Sequence, residues 1–251
     1  MSSEFAPVST RRARQREEAR ERQRAETKSE ILGHARQLLV DEGPAAVSLR
    51  AIAREMGMTA PGLYRYYADH RELVQALTAS LYDELAATLR HACDQAPEQS
   101  PRGRFAGTAR ALRTWALSHK PEFALIFSKP MPDADCAPGD PCHAASWRFG
   151  GVFVDLMTEF WRTGILSRPE PGTLDLDWLP QLEEMREHLG SEQPPLETLY
   201  VFVLAWSRLY GVVSVEVFGH LNFALTDPEP LFEHNLRDIL ELLQADPQDN
   251  Q

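Results

Sequence analysis

Between Arg50 and Tyr67 the chain gathers side chains suited to holding a polyanion. Arg50 carries a forked guanidinium, Thr59 a hydroxyl, and Tyr64 and Tyr66 phenolic hydroxyls. A guanidinium can take the O6/N7 edge of guanine through two hydrogen bonds, and hydroxyls commonly hold phosphate oxygens. The segment Ala60 to Tyr67 is short and poor in long polar side chains, so base reading is expected from Arg50, Thr59, Ala60, Pro61 and Gly62. Tyr64 and Tyr66 are expected on phosphates.

Other chemistry finds little support. No phosphate loop, nucleophile elbow, HExxH motif or dinucleotide fingerprint occurs. Cys136, Cys142 and His143 follow a C-x5-C-H spacing that is not a usual zinc pairing. His119, His188 and His220 lack a sequence partner that would make them catalytic. Neither a cofactor, a metal nor an enzymatic activity is expected. An enzyme whose aromatic helical domain converts a small molecule is the alternative from another class. An architectural DNA binder without an effector is a third, distinguished by affinity that ignores sequence.

The elements around these residues read as helices. Ile31, Leu32, Ala35, Leu38 and Leu39 recur at helical spacing and stop at Gly43-Pro44. Ser48 is placed to cap a second helix through Leu49, Ile52, Ala53 and Met56, which ends at Gly57. Thr59 caps a third, with Pro61 in its first turn, where a missing amide hydrogen costs nothing. Asp69 and Glu72, spaced as in a capping box, open a fourth through Leu73, Leu77, Leu81 and Leu85. Two short helices around Gly57-Met58-Thr59 have the layout of a helix-turn-helix.

Further helices are expected near 105–119, over PEFALIFSKP, at 147–161, 178–189 and 196–221, and from Asp227 onward, with a proline-rich loop at 130–141. Val213, Val215 and Val217 alternate with polar residues as a strand would, but no second strand lies nearby. Residues 1–25, rich in Arg, Glu and Gln, are expected to form a disordered arm, with either a passive or a DNA-contacting role. The tail 247–251 is expected to be disordered. The all-α architecture divides into a three-helix DNA-binding domain at 26–75 and a larger helical domain at 76–246.

Charge agrees with that division. Residues 1–90 hold 14 Lys and Arg against 13 Asp and Glu, a net of +1, and residues 91–251 hold 12 against 24, a net of −12. The acidic part is repelled by phosphate and the first part is not, which orients the molecule on DNA. Three cysteines fit a reducing cytoplasm. The apolar run 199–221 contains Arg208 and Glu216, so it reads as a buried helix and no membrane partner is expected.

The run SLRAIAREMGMTAPGLYRYYADHREL, residues 48–73, resembles the DNA-binding signature of the tetracycline-repressor (TetR/AcrR) family, with Gly57, Leu63, Tyr64, Tyr67 and Leu73 at signature positions. The resemblance implies an all-helical homodimer with a divergent C-terminal domain holding a small-molecule pocket and the dimer interface. By position it places Arg50 at a base contact, Tyr64 and Tyr66 at backbone contacts and Ser48 at a phosphate-facing cap. His70 stands where the family usually has Lys. The run AWSRLYGVVSVEVFGHL, residues 205–221, resembles the interface helix of some members, so dimerisation is expected through the last two helices.

The larger domain is rich in aromatic residues. Trp115, Phe123, Phe127, Trp147, Phe153, Met157, Trp161, Phe202, Trp206 and Tyr210 are candidates for an apolar effector cavity, since such sites are lined mainly by apolar and aromatic groups. The expectation is a repressor released from a palindromic operator by a hydrophobic small molecule, with an activator on the same scaffold as the alternative.

Overall fold

A computed structural model describes residues 8–127, 140–166, 169, 170, 172, 174–189 and 194–244, the side chains of 8–13 and 188 excepted. Residues 1–7, the tail 247–251 and most of the expected 130–141 loop, with Cys136, lie outside the described residues. Among the described residues the chain is all-helical, without strands. It divides into two compact units, Met1–Ala79 and Ser80–Gln251.

The first unit begins with α1 (Val8–Glu42), continuous over a stretch for which the composition predicts a disordered arm up to residue 25. Lack of apolar residues argues against burial, but Arg, Glu, Gln and Ala are strong helix formers. Arg14, Glu18, Arg22 and Glu26 also alternate in charge at four-residue spacing, a favourable helical pairing. The helix propagates backward from the turns that Ile31, Ala35, Leu38 and Leu39 bury in the core. A 3-10 turn at Pro44–Ala46 follows, then α2 (Leu49–Glu55) and α3 (Ala60–Leu63).

Ile52, Ala53, Leu63, Tyr67, Leu73 and Leu77 complete the core of this unit. Gly57, with φ +64°, makes the turn between α2 and α3 in the left-handed region open to glycine. The third helix is shorter than the expected Ala60 to Tyr67. The chain turns after Leu63, and Tyr67 ends up buried. Burial, with Glu72 nearby, pushes its phenol up to about 12.

Helix α4 (His70–Asp94) begins in the first unit and ends in the second. Asp69 accepts the Glu72 N–H at 2.8 Å, while the Glu72 carboxylate accepts the Ala68 N–H at 2.5 Å, one residue before the box expected at Asp69.

The second unit continues with α5 (Pro101–Ser118), α6 (Lys120–Phe127), α7 (Pro141–Arg162), α8 (Leu179–His188), α9 (Leu196–Val217) and α10 (Glu229–Leu242). The valines of α9 are helical, as two faces of one apolar helix. This helix is long and apolar enough to cross a membrane by length and composition alone. One face is buried through Leu199, Val201, Ala205, Leu209, Val212 and Val213, packing on α5, α7, α8 and α10. Arg113 of α5 forms two hydrogen bonds to the Glu216 carboxylate of α9, at 2.8 and 2.7 Å, and its guanidinium lies over the Phe232 ring of α10.

Candidate functional site

Two features of the sequence become surfaces, one in each unit. In the first, Ser48 Oγ accepts the Ala51 N–H at 3.2 Å and Thr59 Oγ1 accepts the Gly62 N–H at 3.3 Å. Each hydroxyl thereby fixes the start of a helix and keeps its own proton for an outside acceptor. A side chain at Gly62 would bring a Cβ to 3.2 Å from Thr59 Oγ1, so the smallness of this position preserves the cap.

Arg50, Thr59 and Pro61 are exposed, Ala60 and Gly62 half-buried, and Tyr64 stands 47% exposed. Tyr66 is half-buried beneath Arg24, whose guanidinium lies 5.4 Å from the ring centroid and donates to the Arg65 carbonyl at 3.0 Å. His70 has one ring nitrogen, Nε2, on the Val47 carbonyl at 2.9 Å. That bond ties the start of α4 to the segment before α2 and leaves Nδ1 as the remaining polar atom of the ring.

In the second unit α7, α8 and α9 enclose an open cavity of about 520 Å³. Trp147, Phe149, Phe153, Phe202 and Trp206 supply its aromatic walls, Met185 and Leu189 its aliphatic end, and Ser146 and Asp155 its polar groups. Gly150 and Gly151 line it too, and a Cβ on either would meet no atom within 4 Å. Among the described residues no group of three or more His, Cys, Asp or Glu could hold a metal ion. His143 accepts the Trp147 indole N–H at 3.1 Å.

Residues 31–77 match the family model for bacterial regulatory proteins of the tetR family, and residues 105–239 match a tetracyclin repressor-like C-terminal domain. The HTH-type transcriptional regulator Rv1816 of Mycobacterium tuberculosis is 31% identical over 240 residues, covering 93% of this chain and 97% of that protein. The chain belongs to the TetR family. Among solved structures, the regulatory protein SCO4313 superimposes with a TM-score of 0.68 at 32% identity, over 88% of this chain and 98% of that one. A protein from Rhodococcus sp. RHA1 shares the fold at a TM-score of 0.65 and 22% identity, over 87% and 95% of the two chains. This is a TetR-family transcriptional regulator.

Of the ten cavity candidates in this TetR-family chain, Trp147, Phe153, Phe202 and Trp206 line the large cavity. The other six lie outside its lining. Trp115 is buried, donates its indole N–H to Glu84 at 3.1 Å and stacks on His119. Phe123 and Phe127 pack against each other in the core, and Tyr210 donates its hydroxyl to the Phe127 carbonyl at 3.0 Å. Met157 borders two small interior voids, and Trp161 is half-buried near the end of α7.

The sequence singles out none of Ser146, Phe149, Gly150, Gly151, Val154, Asp155, Met185, Leu189 and Val203. Helical spacing from Trp147 to Val154 could have pointed to the α7 members. Met185 and Leu189 enter only because α8 folds back on α9.

Proposed function

We propose that this TetR-family regulator is a repressor that binds a palindromic operator as a homodimer and is released by a hydrophobic small molecule. The observation that carries the DNA-reading role is the exposure of Arg50, Thr59, Pro61 and Tyr64 on a frame whose opposite face is buried. Arg50 reads a base edge, and Thr59, Ala60, Pro61 and Gly62 approach the groove floor. Tyr64, Tyr66 and the Ser48 hydroxyl hold phosphates, with His70 setting the start of α4 against them.

Dimerisation is supported by a half-exposed apolar row on α9, Leu204, Gly211 and Val215, and by the exposed Phe218 and Phe223 beyond it. On α10, the other helix expected at the interface, His234, Arg237 and Asp238 are exposed. A dimer of this kind must place its two reading helices about 34 Å apart, in successive major grooves. The effector role is supported by the cavity between α7, α8 and α9, whose aromatic walls suit an apolar ligand.

The test uses duplexes selected from random DNA by the full-length protein. Arg50→Ala is expected to lower affinity and flatten base preference, because a bidentate Arg to guanine gives roughly 1–3 kcal/mol of discrimination. Tyr64→Phe is expected to weaken binding evenly across sequences. An unchanged preference profile for Arg50→Ala would end the base-reading role.

A further inference from the structure

Along the N-terminal half of α1, Arg16, Arg20, Arg24 and Lys28 recur every four residues. Cations at this spacing stand one above another on a helix and repel. On another face of the same helix Arg14, Glu18, Arg22 and Glu26 alternate in sign, so the like-charged stripe is not a general feature of the segment. Glu17 and Glu21 stand beside the stripe, and from Arg14 to Arg24 five arginines face three glutamates, a net of +2. Arg16 and Arg20 are exposed, and among the described residues neither makes a hydrogen bond or ion pair.

The inner end of the stripe is fixed to the DNA-reading element. Arg24 is pinned to the Arg65 carbonyl and the Tyr66 ring, and the Lys28 ammonium lies 5.1 Å from the Tyr67 ring centroid. From there the helix carries Arg20 and Arg16 outward, the latter about 12 Å along the axis at about 1.5 Å per residue. An α-helix about 10–12 Å wide does not enter a minor groove about 6 Å wide. A basic helix beginning at the reading element therefore suits the phosphate rim and not the groove floor.

We propose that the outer part of α1 is a phosphate rail, in which Arg16 and Arg20 hold backbone phosphates of DNA flanking the sequence that α3 reads. The proposal rests on the DNA-regulator reading and extends the contact beyond the read sequence.

The experiment measures affinity of the full-length protein between 50 and 200 mM salt, on a selected duplex with ten base pairs of flank on each side and on the same duplex trimmed to its core. Wild-type protein is expected to show the steeper salt dependence on the flanked duplex. Each lost phosphate contact lowers the slope of log K against log salt by about 0.9. Arg16→Ala/Arg20→Ala is then expected to lower it by about 1.8 per protomer on the flanked duplex, so the fourfold salt increase costs about 12-fold less affinity per protomer. On the trimmed duplex the variant is expected to match wild type.

Arg16→Lys/Arg20→Lys retains charge and helix propensity and is expected to keep the wild-type slope. Equal slopes for wild type and the alanine variant on flanked DNA, or equal losses on both duplexes, would overturn the rail with the DNA-regulator reading intact. Failure of wild-type protein to bind any selected duplex above random DNA would overturn both.

Discussion

Replacing Glu216 with leucine strands Arg113, and the structure sets the size of the effect. The Arg113 side chain is 16% exposed and that of Glu216 7%, so the pair is largely withdrawn from water. Removing one member of a buried pair costs about 3–5 kcal/mol, because the remaining charge is left desolvated. Arg113 keeps some solvent and a second carboxylate, Glu229 at 3.7 Å, but that group is 65% exposed and well screened. We therefore expect Glu216→Leu to cost about 2–3 kcal/mol, below the usual range for a fully buried pair. For a unit of this size that corresponds to a fall in Tm of about 4–12 °C.

The companion Arg113→Met/Glu216→Leu removes both charges, and its stability should return to within about 1 kcal/mol of wild type. All five tryptophans lie beyond Ser80, so urea unfolding followed by their fluorescence reports the second unit alone. A loss below about 1 kcal/mol for the single variant would show that the pair is solvated in solution. A double variant no more stable than the single one would refute desolvation as the cause.

Two further variants probe the turn and the cavity. Gly57→Ala places a Cβ at φ +64° and should destabilise the first unit by about 1–2 kcal/mol, read from the loss of helical ellipticity with urea. A midpoint equal to wild type would mean that the turn relaxes out of the left-handed region. Gly151→Leu points into open space on a helix, so it should leave stability unchanged or raise it by up to about 1 kcal/mol. It should also reduce binding of the apolar dye anilinonaphthalene sulfonate several-fold, monitored at Trp147 and Trp206, and undiminished dye binding would remove the cavity as the apolar site.

The DNA-reading unit was legible because its determinants are local. Ser48, Gly57, Thr59, Pro61 and Asp69 each fix backbone within four residues of themselves, and the structure places caps or turns at each. The arm departs from the expectation for a related reason. Composition reports what a segment can bury, whereas Val8 to about Ala25 is helical through propensity, alternating charge and attachment to turns already docked. The cavity was half legible, because aromatic content marks the unit that can hold it but not which rings face it. Trp115 and Trp147 are the same residue type. One spends its indole N–H on Glu84 inside the core and the other on His143 at the cavity wall, a difference made by contacts 31 and 4 residues apart.

The proposed release mechanism depends on α4. This helix buries Leu73 and Leu77 in the first unit and Leu81, Leu85 and Leu89 in the second, without a glycine or proline along its length. Sharp kinks in helices arise at such residues or at breaks in the hydrogen-bond ladder, and neither residue occurs between His70 and Asp94. That continuity makes coupling feasible but does not set its size. A ligand shifts the DNA-binding equilibrium only by the difference in its affinity for the two geometries. A compound that quenched Trp147 and Trp206 while changing operator affinity less than twofold would have a coupling under about 0.4 kcal/mol. Such a compound would occupy the cavity without being an inducer, because cavity binding and release are separate requirements and only the second needs α4 to move.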